Sequence, residues 1–137
     1  MTHIRADRIC ETSSLTGTGA YLLAGAVAGY RPFSAACAVG DTCEYFAESA
    51  GANGVLTPDF EVGLGTLGAG NTLQRTKIYT SSNANAAVNW PAGVKRIALT
   101  ITAKTMDDIT LSTVNAATSL IQTQKIMAQM LLAGQTP

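Results

Sequence analysis

The sequence predicts a mainly β protein: an antiparallel β-sandwich or barrel-like domain over residues 1–104, followed by one long C-terminal α-helix within residues 105–137. Two observations carry this expectation. Before residue 105, short runs rich in Thr, Val, Tyr and Phe alternate with Gly, Asn, Asp and Ser clusters every roughly ten to fifteen residues, as in sandwiches and barrels. Beyond it, Gly and Pro vanish until Gly134, and apolar residues recur at helical spacing. A chain of 137 residues suits one hydrophobic core with a modest appendage.

Arg8 to Thr12 reads as the first strand, and Gly17 to Ala26 as a second, weakened by its glycines. AGYRP, residues 28–32, makes a corner. Cys43 to Glu48 alternates, with Cys43, Tyr45 and Ala47 on one face and Glu44, Phe46 and Glu48 on the other. A loop over residues 49–59 leads into Phe60 to Thr66, where Phe60, Val62 and Leu64 share a face; GAGN then turns the chain into a strand over Thr72 to Ser81. Val94 to Ala103 is the clearest strand, with Ile97, Leu99 and Ile101 facing one way.

From about Asp108 to Ala133 the period becomes helical, placing Ile109, Val114, Ala117, Leu120, Ile121, Ala128 and Leu131 on one stripe with Gln124 in its middle. Thr105 and Asp108 resemble a capping box, and Gly134 before Pro137 is a stop. A helix of this length is ~38 Å long, about the width of the domain, so its stripe calls for a partner: the parent sheet or another copy of the chain. A polar residue such as Gln124 within an apolar seam sets register in helical bundles.

Nine basic and nine acidic residues cancel, and no stretch gathers Lys or Arg into a patch, which argues against nucleic acid as a partner. No segment has the ~18 to 20 apolar residues of a membrane span, and the N-terminus lacks a signal-peptide core, so a soluble chain is expected. Three cysteines and one histidine do not make a zinc site. Cys37 and Cys43 bracket the turn-like AVGDT, so they are candidates for pairing across a hairpin under oxidising conditions; the alternative is three buried thiols.

FEVGLGTLGAG holds Gly63, Gly65 and Gly68 in dinucleotide-fold spacing, yet no helix opens on the third glycine and no acid follows about twenty residues on. A strand and turn explain it, and no cofactor is expected. His3, in the terminal segment, is poorly placed to serve as a base, and Glu44, Glu48, Asp59 and Glu61 read as solvated strand-face charges, so no catalytic site is expected. Trp90 reads as a corner plug; in a carbohydrate-binding alternative it would act with the Ala50 to Asp59 loop.

Several segments taken in order carry a more specific signal: Asp7 and Arg8, Glu11 and Thr12, Leu23 to Ala26, Phe60 to Gly63, Leu73 to Thr76, Ser81 to Asn83, and Gly93 to Lys95. Together they resemble a module recurring in tail-fibre and other virion proteins of tailed bacteriophages, over roughly residues 7 to 101. The resemblance implies a non-enzymatic β-rich assembly module, often homotrimeric, that contacts other virion proteins. A charged fraction of 13%, about half the usual share near 25%, independently suits faces covered by neighbours.

Overall fold

In the computed structural model, which describes residues 1–50 and 55–134, the chain divides into a β-unit, Met1–Thr102, and a helical unit from Ala103 on. The β-unit holds β1 (His3–Ile4), β2 (Cys10–Ser13), β3 (Tyr21–Leu22), β4 (Thr42–Ser49), β5 (Phe60–Gly68), β6 (Thr72–Ser81) and β7 (Lys95–Leu99), and the helical unit is α1 (Ala103–Leu132). The strands run in the order β2-β7-β4-β5-β6-β3, every neighbour antiparallel. β1 pairs in parallel with the start of β4. The chain beyond β3 then returns to β2, where Ala24 N–H donates to Thr12 O at 2.8 Å and Thr12 N–H to Gly25 O at 3.0 Å, so the sheet nearly closes into a barrel.

Gly17 to Ala26 does not form the continuous strand its composition suggests. Positive φ at Gly17 (85°) and Gly25 (117°) breaks the extended run, leaving Tyr21–Leu22 on the ladder with β6. β7 stops at Leu99, short of Ala103: Thr100 N–H still follows the ladder to Glu44 O, but Thr102 N–H turns to the Glu44 carboxylate instead of a backbone carbonyl. Ile97 is therefore buried while Ile101 is exposed. α1 begins five residues before Asp108, so Thr105 lies inside the helix rather than capping it, and Asp108 instead accepts from Lys104 at 2.6 Å. At the other end Gly134, with φ 68°, takes the left-handed conformation of a helix stop; Pro137 lies outside the described residues.

Cys43, Tyr45 and Ala47 line the interior, with Tyr21, Phe33, Leu73, Trp90 and Ile97. On β5 the faces are the reverse of what side-chain size suggests. Phe60, Val62 and Leu64 do share a face, but it is the outer one, and Glu61, Gly63, Gly65 and Leu67 point inward. The barrel is too narrow there for side chains. A Cβ on Gly63 would collide with the Lys77 carbonyl oxygen, while one on Gly65 would come within 2.8 Å of the Leu73 side chain. Both glycines sit at register shifts in the β5–β6 ladder. Gly63→Ala is expected to cost about 3 kcal/mol in urea unfolding, and Gly65→Ala about 1 kcal/mol, because a side chain yields more readily than a hydrogen-bonded backbone.

Candidate functional site

The β-unit gathers several of its titratable residues into a buried frame. Glu61, fully buried on β5, accepts from Tyr45 Oη at 2.6 Å, Tyr21 Oη at 2.8 Å, Arg75 Nε at 2.8 Å and the Val88 N–H at 2.9 Å. A second Arg75 nitrogen, Nη2, closes a bidentate pair on its other oxygen and donates to Val88 O at 3.0 Å. Trp90 Nε1 donates to Tyr21 Oη at 3.0 Å, and the Arg75 guanidinium lies 5.3 Å from the Tyr21 ring centre. Burial alone would push the Glu61 carboxyl up. Arg75, Tyr45, the Val88 N–H and Tyr21 outweigh it and hold the group below the ordinary carboxylate range. Burial, with Glu61 beside them, raises both tyrosines well above the usual phenol value.

Two further buried charges extend the frame. Glu11 accepts from Phe33 N–H at 2.8 Å and Gly25 N–H at 3.2 Å, tying β2 to the loop that follows β3. Lys95 Nζ donates to Leu15 O at 2.5 Å, Gly93 O at 2.8 Å and Pro91 O, so one ammonium satisfies three loop carbonyls. Glu11, Glu61, Arg75 and Lys95 thus hold loops to strands.

Reading the four acids as solvated strand charges therefore needs correction for two of them. Glu61 and Glu44 are buried, whereas Glu48 forms a 2.5 Å surface pair with Arg96 and Asp59 lies 3.4 Å from Ser82 Oγ. The missed signal lay in the alternation: Glu61 shares a face with Gly63 and Gly65, and a face of glycines packs closely against something. His3 Nδ1 meets Thr42 Oγ1 at 3.2 Å at the barrel rim. Trp90 is buried at 2% exposure, which removes the platform of the carbohydrate alternative; residues 51–54 of its loop lie outside the described residues.

The expected hairpin between Cys37 and Cys43 is absent. Cys37 follows a 3₁₀ turn, Phe33–Ala35, with its N–H bonded to Phe33 O, and only Cys43 is on a strand. Both are free, buried thiols and hydrogen-bonding neighbours, and burial pushes Cys43 up to about 12. At neutral pH neither is an active nucleophile. Among the described residues no group of three or more His, Cys, Asp or Glu side chains is placed to hold a metal ion, and no helix is long and apolar enough to cross a membrane.

What the β-unit buries, α1 leaves uncovered. None of its residues is buried, and Val114, Leu120, Ile121 and Leu131 of the stripe are each more than half exposed. Ala117, Gln124 and Ala128 are exposed beside them. Of its thirty residues only Lys104, Asp107, Asp108 and Lys125 carry charge, and the first and third pair with each other. The outer barrel face adds half-buried Phe46 opposite Val62 and Ala98. Compared with known proteins, the chain matches no family model, no curated protein and no solved structure.

Proposed function

We propose that this protein is a non-enzymatic structural component of a tailed-phage virion, a tail-associated fibre or adaptor. It assembles with copies of itself, as a homotrimer, and docks on other virion proteins. One observation carries the self-assembly: a thirty-residue helix with no buried residue presents a stripe of Val114, Ala117, Leu120, Ile121, Ala128 and Leu131. Covering each large apolar side chain contributes about 1.5–3 kcal/mol, so leaving the stripe in water is costly at virion-assembly concentrations. The ordered segments from Asp7 to Lys95 support the virion reading, and the commitment of Glu11, Glu61, Arg75 and Lys95 to internal bonds suits a building block.

Size-exclusion with light scattering on the full chain tests the assembly. Three chain masses are expected, falling to one in Leu120→Asp/Ile121→Asp while the thermal unfolding of the β-unit is unchanged. A wild-type chain that stays monomeric at tens of micromolar overturns the reading. Antibody labelling of intact particles in the electron microscope tests the location: label on the tail is expected, label on the capsid surface would instead indicate a decoration or head-fibre protein, and unlabelled particles overturn the virion assignment.

A further inference from the structure

From the hydroxyls of α1 and the position of Gln124, we infer that α1 associates with α1 of further copies in one orientation only, parallel and in register, with the Gln124 amides bonded to one another at the centre of the bundle. This rests on the proposed self-assembly and adds to it the identity, direction and alignment of the partner segment.

The stripe fits a heptad frame from Thr110 to Leu131, with the charged Asp107 at the seam position one heptad before Val114. Val114, Ile121 and Ala128 occupy one seam position, Thr110, Ala117, Gln124 and Leu131 the next, and Met106, Thr113, Leu120 and Met127 flank them. From Thr110 to Leu131 that is about three heptads, the length at which such a pattern is informative. Thr110 and Thr113 look like polar interruptions, but their hydroxyls are already used: Thr110 Oγ1 donates to Met106 O and Thr113 Oγ1 to Ile109 O, both at 2.9 Å. Each leaves its methyl for the seam. Gln124 differs, because its side-chain amide has no hydrogen-bond partner within the described chain, although it lies in the middle of the apolar stripe. Covered by an apolar partner it would lose its water and gain nothing.

The occupant that satisfies Gln124 is another Gln124, since an amide both donates and accepts. A charge-directed partner has little to recognise, because only Asp107 and Lys125 remain outside the Lys104–Asp108 pair. Direction follows from position. α1 is centred between Ala117 and Thr118, so in a fully overlapping antiparallel pair Gln124 would face Leu111 and the spent hydroxyl of Thr110. Antiparallel helices bring Gln124 to Gln124 only by overlapping Ala116–Leu132, about half of α1. In the parallel arrangement the amides meet with the whole helix overlapped.

Three seam positions per heptad form a stripe wider than a two-stranded seam requires, which favours a bundle of at least three copies. A helix ~45 Å long and ~12 Å across presents on the order of 1,700 Å² laterally, and three positions in seven make roughly 700 Å² of it, close to the ~800 Å² per partner that stable interfaces bury.

Single cysteines on the full chain test the direction, with oxidised glutathione as oxidant and non-reducing electrophoresis as readout; Cys10, Cys37 and Cys43 are buried and serve as the wild-type background. In the parallel bundle Leu131 meets Leu131, so L131C chains are expected to run mostly at twice the chain mass. In the antiparallel pair Leu131 faces Lys104, and an equal mixture of L131C and K104C would instead give the mixed pair, which overturns the inference while leaving self-assembly intact. A light-scattering mass of one chain overturns both. Adding Gln124→Leu to the mixed sample is expected to keep the assembly mass and raise the mixed crosslink at least several-fold; an unchanged crosslink pattern would show that Gln124 does not choose the direction.

Discussion

Arg75→Met is expected to lower the unfolding free energy by about 3–5 kcal/mol, because it leaves the fully buried Glu61 carboxylate without its cation. Methionine keeps roughly the length of the side chain, so the loss reports charge and hydrogen bonding more than volume. Adding Glu61→Leu, which in many proteins would offset the loss, is expected to recover little here. Tyr21, Tyr45 and the Val88 N–H also donate to that carboxylate and would be left without an acceptor in the core. Urea unfolding of the wild type and these two variants at neutral pH checks this.

The same pair sets the acid limb. The Glu61 carboxyl titrates lower in the folded chain than its unfolded value of about 4.3. Its contribution is thus complete above the unfolded value and is lost as pH falls through the folded one. Unfolding free energy measured downward from about pH 4.5 is expected to decline in the wild type. In Arg75→Met burial loses its main opponent, the carboxyl moves up, and that decline is expected to flatten.

Lys95→Met is the second large effect, expected at about 3 kcal/mol in the same urea measurement. The substitution keeps an apolar stem on β7 but removes the donor shared by Leu15 O, Pro91 O and Gly93 O, three carbonyls drawn from two loops. Burial lowers the Lys95 pKa, so desolvation of the ammonium is a real cost that the three carbonyls offset. Lys95→Arg is expected to rescue only part of the loss, since a planar guanidinium does not fit three converging acceptors around one point. The smaller, neutral change Val94→Ala beside it, at an exposed position, is expected to stay within about 0.5 kcal/mol of wild type.

Elements with a strong period were legible. The alternation in Cys43 to Glu48 identified β4 and its two faces, and the spacing beyond residue 108 identified α1 and its stripe. Less legible were elements whose limits depend on partners distant in sequence. Nothing within Val94 to Ala103 says that the Glu44 carboxylate will take the Thr102 N–H where β7 ends. Likewise Phe60, Val62 and Leu64 form a good apolar face by local criteria, and the stripe on α1 is as apolar as many that are buried.

By itself the sequence determined the class of the protein, a β-unit followed by one long helix, because periods of 2 and 3.6 are written into single segments and need no partner to be read. Only the tertiary structure decided which side of each strand is inside. The interior beside β5 is filled by Tyr45 and Leu73 reaching across from neighbouring strands, so glycine belongs there and the larger residues turn outward. It also decided that Glu61 is a buried anchor rather than a solvated charge, because the donors that make its burial tolerable, Tyr21, Tyr45, Arg75 and Val88, converge on it only when the barrel closes.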